Sequence, residues 1–109
     1  MIVTAWNNGS YHKSGAGYGV KLDASDRDRF FQRSWKTIRL SLEGSSDVIE
    51  VNVAKSSFWG ITCRELISID IGRWLIGNGL APWPKGYPPK LILENVNSNN
   101  FLLRKPMNN

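Results

Sequence analysis

The sequence predicts an α+β fold: a mainly antiparallel small β-barrel or curled sheet of about six strands, with one main helix and one short helix. Apolar and polar residues alternate over several short segments, a pattern typical of strands with one buried face. Helical signals occur only over about residues 26–33 and about residues 63–76. Strands and helices alternate too sparsely for a doubly wound parallel sheet. We expect one domain over residues 1–109, with about 105–109 as a frayed tail.

The first half begins with two predicted strands and the short helix. Residues 2–6 and 18–22 alternate, and the glycine-rich and asparagine-rich stretches between them are turn signals. Ser25 and Asp26 are suited to cap the short helix, with aspartates in its first turn. On this helix we expect Phe30 and Phe31 to face inward and the arginines to face outward.

The clearest strand signal is a hairpin over residues 37–42 and 49–53. Ile38, Leu40 and Leu42 alternate with polar residues, and so do Ile49 and Val51. The five residues 43–47 form the connecting loop. This pattern predicts an antiparallel pair with one face in the core.

The main helix is predicted from a capping signal and an apolar stripe. Thr62 and Glu65 have the spacing of a capping box. Four apolar residues then recur at helical spacing and form one stripe: Ile67, Ile71, Trp74 and Leu75. Gly77 and Gly79 are suited to end the helix.

A proline-rich loop over residues 80–90 follows, and a final hairpin over residues 91–94 and 101–104 closes the chain. The loop holds four of the five prolines together with Trp83, Lys85, Tyr87 and Lys90. Because proline fixes φ and removes a backbone donor, this loop is predicted to be stiff and extended. Trp83 either covers the core or is presented to a partner.

The net charge of +5 is unevenly placed along the chain. Residues 13–39 hold seven cations and three carboxylates, whereas residues 40–80 carry more carboxylates than cations. Residues 81–109 hold four cations and one carboxylate. Two basic flanks favour an anionic partner, although a basic surface can also serve solubility alone.

Ordinary catalytic and metal chemistry is poorly supported, and we predict no cofactor. His12 and Cys63 are the only residues of their types, too few for a zinc site. The aspartates near residue 26 are explained by the helix N-terminus. A strand follows Gly15, Gly17 and Gly19, whereas a phosphate-binding loop needs a helix there. A single cysteine and short apolar runs predict a cytoplasmic protein with no membrane span.

The leading hypothesis is a non-enzymatic domain that binds DNA or RNA through its basic flanks and the proline loop. One alternative is a protein-interaction module, for example a homodimer, that uses the proline loop or a sheet edge. A third is a small-ligand or enzymatic pocket lined by tryptophans. The candidate nucleic-acid-binding residues are Lys21, Arg27, Arg29, Arg33, Lys36, Arg39, Trp83, Lys85, Tyr87, Lys90 and Arg104.

Two stretches carry a resemblance to known proteins. The chain resembles a group of short uncharacterised bacterial-type proteins in both stretches. One is the glycine-rich residues 15–19 running into 26–31, and the other is residues 71–75 running into the proline loop. That resemblance implies no particular activity. The order strand, short helix, hairpin, helix, hairpin is also similar to the pseudobarrel DNA-recognition domains of plant transcription factors and some restriction enzymes. No contact residues follow from that likeness.

Overall fold

One seven-stranded sheet organises the fold in this computed structural model, which describes residues 1–106. The strands are β1 (Ile2–Asn7), β2 (Tyr18–Lys21), β3 (Thr37–Leu42), β4 (Val48–Asn52), β5 (Glu65–Ile67), β6 (Lys90–Asn97) and β7 (Asn100–Arg104). Their spatial order is β4-β3-β7-β6-β1-β2-β5. All neighbours are antiparallel except β3 and β7, which are parallel. The predicted α+β class with a curled, mainly antiparallel sheet is confirmed, with seven strands where about six were predicted.

The sheet curls until β4 and β5, its two terminal strands, approach each other and nearly close a barrel. Inward-facing residues alternate along each strand, as in Val3 and Ala5 of β1, and form one apolar core. Both predicted hairpins are present, and the β3–β4 loop spans the expected five residues. None of the helices within residues 1–106 is long and apolar enough to cross a membrane.

The main helix is shorter than predicted, and the predicted capping box is wrong. Residues 65–67 form the edge strand β5, which pairs with β2, so the helix α2 begins later and spans Ile69–Gly77. Ser68 is its cap, and its hydroxyl accepts a hydrogen bond from the Asp70 N–H at 3.1 Å. Ile71, Trp74 and Leu75 are buried as expected, but Ile67 lies on the strand and is exposed. Pairing with β2 therefore overrides the local helical signal of this segment.

The short helix α1 spans Ala24–Phe30, earlier than the predicted residues 26–33, and Asp23 occupies its cap position. It ends at Phe31 because this residue turns to an extended conformation and stacks its ring on Phe101, with ring centroids 4.6 Å apart. The expectation that all arginines of this helix face outward is wrong for Arg27, which is buried.

The two helices lie at opposite ends of the barrel. Strand β2 starts beside α2, where the Ser68 N–H donates to the Tyr18 carbonyl, and it leads directly into α1. Strand β3 runs the other way, from the α1 end to Glu43, whose carbonyl accepts the indole N–H of Trp74 on α2 at 2.8 Å. The predicted tail over residues 105–109 lies partly outside the described residues, and within them the Lys105 N–H donates to Glu43 Oε1 at 2.9 Å.

Helix α2 is held against the loop before β2 by direct backbone contact. A Cβ atom built on Gly15 would lie 2.6 Å from the Arg73 nitrogen, and one built on Gly72 would collide with the Gly15 carbonyl. Gly15 also has a φ of 94°, which favours glycine on its own. The glycine-rich stretch and the α2 stretch that share the resemblance described above are therefore in contact in space.

We expect Gly72→Ala to lower the free energy of unfolding by about 3 kcal/mol, because neither backbone can move without shifting the helix. Urea-induced unfolding followed by tryptophan fluorescence measures the change. Gly77→Ala is the matched control, since a Cβ there meets nothing within 4 Å. Its expected effect is a gain of no more than about 1 kcal/mol. Equal stability of the two variants would show that the contact is not a constraint.

Candidate functional site

The predicted basic residues do not form a single face. Four of the candidates lie at the α1 end: Arg27, Arg29, Arg33 and Lys36. Trp83, Lys85 and Tyr87 lie in the proline loop beyond α2. The remaining members lie on the outer surface of the sheet between these ends: Lys21, Arg39, Lys90 and Arg104.

Carboxylates oppose most of the cations on the outer surface of the sheet. Arg39 lies opposite Glu50 in the β3–β4 ladder, and Lys21 lies opposite Glu65, which is buried, in the β2–β5 ladder. Arg104 Nε is 3.8 Å from Glu43 Oε2. Lys90 Nζ donates to the Thr4 hydroxyl at 2.8 Å. With Glu94 also on this surface, three accessible carboxylates face the four cations, and the buried Glu65 lies opposite Lys21. This part of the barrel is therefore a weaker attractor for phosphate than its cations alone suggest.

At the α1 end, Arg27 has a structural role. Its guanidinium is buried and donates to the carbonyls of Phe58 and Gly60, at 3.0 and 2.5 Å, and its Nε donates to Asp28 Oδ1 at 3.0 Å. These contacts fix a 3₁₀ turn at Ser56–Trp59 against the helix. Arg27 is therefore unavailable to an external ligand.

Two arginines at the α1 end, the buried Arg27 and the exposed Arg33, lie over the ring of Trp59. The guanidinium carbon atoms of Arg33 and Arg27 lie 4.8 and 5.4 Å from the ring centroid of Trp59. The Trp59 indole N–H donates to the Val53 carbonyl, and the Val53 N–H donates to the Lys36 carbonyl, which fixes this cluster. Two guanidinium groups therefore already contact the Trp59 ring, which makes it a poor surface for a base to stack on.

A different cluster forms where the proline loop meets the loop after β1. The ring centroids of Tyr11 and Tyr18 each lie 5.8 Å from that of Trp83, and they lie 6.0 Å from each other. All three pairs are edge-to-face, the favoured geometry for aromatic rings. Trp83 is half-buried and packs on the core, so it both covers the core and reaches the surface.

Tyr11 is held in an uncommon backbone conformation. Its φ is 51°, in the left-handed region that a bulky residue rarely adopts. The side-chain oxygen of Asn7 accepts hydrogen bonds from the N–H groups of Gly9 and Tyr11, at 2.7 and 3.2 Å. Residues held in this way cluster at functional sites. Tyr11 is 42% exposed, so this conformation leaves the residue accessible to solvent beside Trp83.

Two of these rings, those of Tyr11 and Trp83, line an open pocket of about 340 Å³ together with Pro82 and Lys85. Residues 1–22 and 78–93, which supply both loops, contain no carboxylate, but they include Lys13, Lys85 and Lys90. Burial raises the pKa of the Tyr18 phenol, and the nearby Tyr11 adds to this rise. The lining of this aromatic pocket therefore combines an apolar concave surface with the positive charge of Lys85.

Tyr11 is the residue of this pocket that the sequence did not reveal. Its neighbours Asn7 to Ser10 signalled only a turn, and an exposed tyrosine has no periodic signature. An aromatic residue followed directly by His12 and Lys13 was the one available hint. Tyr87, in contrast, is 77% exposed and does not line the pocket.

No family model, no curated protein and no solved structure matches this chain. The likeness to pseudobarrel DNA-recognition domains therefore stays a prediction, and the side chains themselves must support any functional proposal.

We expect Arg27→Met to lower the free energy of unfolding by about 2–4 kcal/mol, because the carbonyls of Phe58 and Gly60 would lose a charged donor. Arg29→Met is the matched control on the same helix. Arg29 is exposed, so its replacement should change stability by less than about 0.5 kcal/mol. Chemical denaturation of both variants tests this. An equal effect of the two substitutions would contradict a structural role specific to Arg27.

Proposed function

We propose that this protein is a non-enzymatic module that binds single-stranded DNA or RNA, with one base held in the aromatic pocket. The observation that supports this most strongly is the pocket itself, in which Tyr11 and Trp83 lie beside Lys85 and which no carboxylate lines. Every nucleobase has a flat π surface, so stacking on aromatic side chains binds bases without regard to sequence.

The geometry favours an unpaired strand over a duplex. A concave pocket accepts a base that has left its stack, whereas bases inside a duplex are not accessible to it. Lys85 lines the pocket, and Lys13 follows Tyr11 by two residues, so both are placed to contact the phosphates on either side of an inserted base. The outer sheet surface adds less, because carboxylates oppose most of its cations.

The proposal predicts a loss of affinity for short single-stranded oligonucleotides in Tyr11→Ala and Lys85→Gln. Loss of one base stack corresponds to about 1–3 kcal/mol, or roughly 5- to 150-fold. Fluorescence anisotropy of labelled oligothymidine and oligouridine gives the affinities. Tyr11→Phe should bind like the wild type because it keeps the ring.

Tyr87→Ala is the matched control, since Tyr87 lies in the same proline loop but outside the pocket. Two phosphate contacts to a single strand give a slope of about −1.4 for log K against log salt concentration, and Lys85→Gln should halve it. Unchanged affinity in both Tyr11→Ala and Lys85→Gln would refute base insertion. Binding that disappears above the lowest salt concentration would show that the positive charge attracts nucleic acid only nonspecifically.

A second candidate function is self-association through a sheet edge. Strands β4 and β5 are the terminal strands, and no ladder joins them within residues 1–106. Val48 on β4 and Ile67 on β5 are both exposed, which leaves apolar, hydrogen-bonding edges.

Sedimentation equilibrium tests self-association directly. If the protein self-associates, its apparent mass should rise with protein concentration, and Val48→Lys should abolish that rise. Val96→Lys is the control, because Val96 is comparably exposed but lies on an interior strand of the sheet. A monomer at all concentrations would remove this candidate without affecting the first.

A further inference from the structure

A second cavity, of about 320 Å³, lies between helix α2 and the β3–β4 loop. It shares no lining residue with the aromatic pocket. Its size falls within the range of small-molecule sites, about 300–1,000 Å³. Its lining residues are Leu42, Ser45, Asp47, Ile49, Asp70, Arg73 and Trp74.

The cavity has an apolar wall that is firmly held. Leu42 and Trp74 are buried, and Ile49 is half-buried against the core. The indole N–H of Trp74 donates to the Glu43 carbonyl, which fixes the orientation of the ring. An apolar group that entered here would meet a preformed surface and would displace only water.

The polar part of the cavity carries charges of both signs. Arg73 Nη1 lies 3.9 Å from Asp70 Oδ1, at the outer limit of an ion pair, and the two side chains are 64% and 46% exposed. Exposed pairs of this kind contribute little, so Arg73 can turn to a ligand at low cost. Asp47 makes no ion pair with any residue that the structure describes, and it lines the same cavity.

We propose that this cavity binds a free α-amino acid with an apolar side chain. The ligand side chain packs on Leu42, Ile49 and Trp74. Its carboxylate pairs with Arg73, and its ammonium group pairs with Asp47 and Asp70. A nucleotide is disfavoured because two carboxylates would face its phosphates. An interior peptide residue carries neither charge, and a peptide end carries only one of them.

The proposal is tested by ¹H–¹⁵N NMR of the tryptophan indole groups during titration with leucine and phenylalanine. The indole signal of Trp74 should shift saturably, and the signals of the other tryptophans should move less. Leucine amide lacks the carboxylate and N-acetyl-leucine lacks the ammonium group, so each should bind about tenfold or more weakly than leucine. The protein is used as the full chain throughout.

Arg73→Gln and Asp47→Asn should each weaken leucine binding by about tenfold or more, because each removes one charged partner. Both residues are exposed and make no buried contacts, so both variants should fold, as the dispersion of the indole signals will show. Lys85→Gln is the control. It should leave leucine binding unchanged while it weakens oligonucleotide binding, which separates this proposal from the preceding one.

The absence of any Trp74 shift at millimolar leucine and phenylalanine would overturn the proposal. Equal binding of leucine and N-acetyl-leucine would also overturn it, because the ammonium group would then have no role. Leucine binding that survives both Arg73→Gln and Asp47→Asn would place the ligand elsewhere.

Discussion

The backbone contact between Gly15 and Gly72 is the constraint on which both candidate sites depend. A side chain at either position would collide with the opposing backbone, so helix α2 can lie this close to the loop before β2 only with glycine at both. That contact sets where α2 covers the end of the barrel. The proline loop leaves from the end of α2 and meets Tyr11 in the preceding loop, so the same contact also positions the aromatic pocket.

The distribution of charge decides which part of this basic protein is suited to an anionic partner. Cross-strand carboxylates oppose the cations on the sheet, and guanidinium groups at the α1 end are committed to Trp59 and to backbone carbonyls. At the proline-loop end, the aromatic pocket joins Lys85 to accessible aromatic rings, and no carboxylate lines it. Net charge alone therefore overstated the basic surface that a partner would meet.

Arg27 illustrates how a residue type can mislead a functional reading. Seven cations within residues 13–39 suggested one phosphate-binding stretch, yet the cation at the centre of α1 is buried and bonded to two carbonyls. A buried guanidinium that is bonded to two backbone carbonyls stabilises a turn and is poorly placed to bind a ligand. Tyr11 is the opposite case, since an unremarkable turn residue becomes part of the pocket through its left-handed conformation.

Local pattern by itself determined the curled antiparallel sheet, both hairpins and the burial of Ile71, Trp74 and Leu75 on α2, because alternation and helical spacing are properties of neighbouring residues. Tertiary structure decided the rest. Pairing with β2 converted residues 65–67 from helix to strand, and stacking on Phe101 ended α1 early. The parallel pairing of β3 with β7, the burial of Arg27 and the meeting of Tyr11 with Trp83 join residues far apart in the chain. No local pattern encodes such contacts, since their free energy exists only once the barrel has formed.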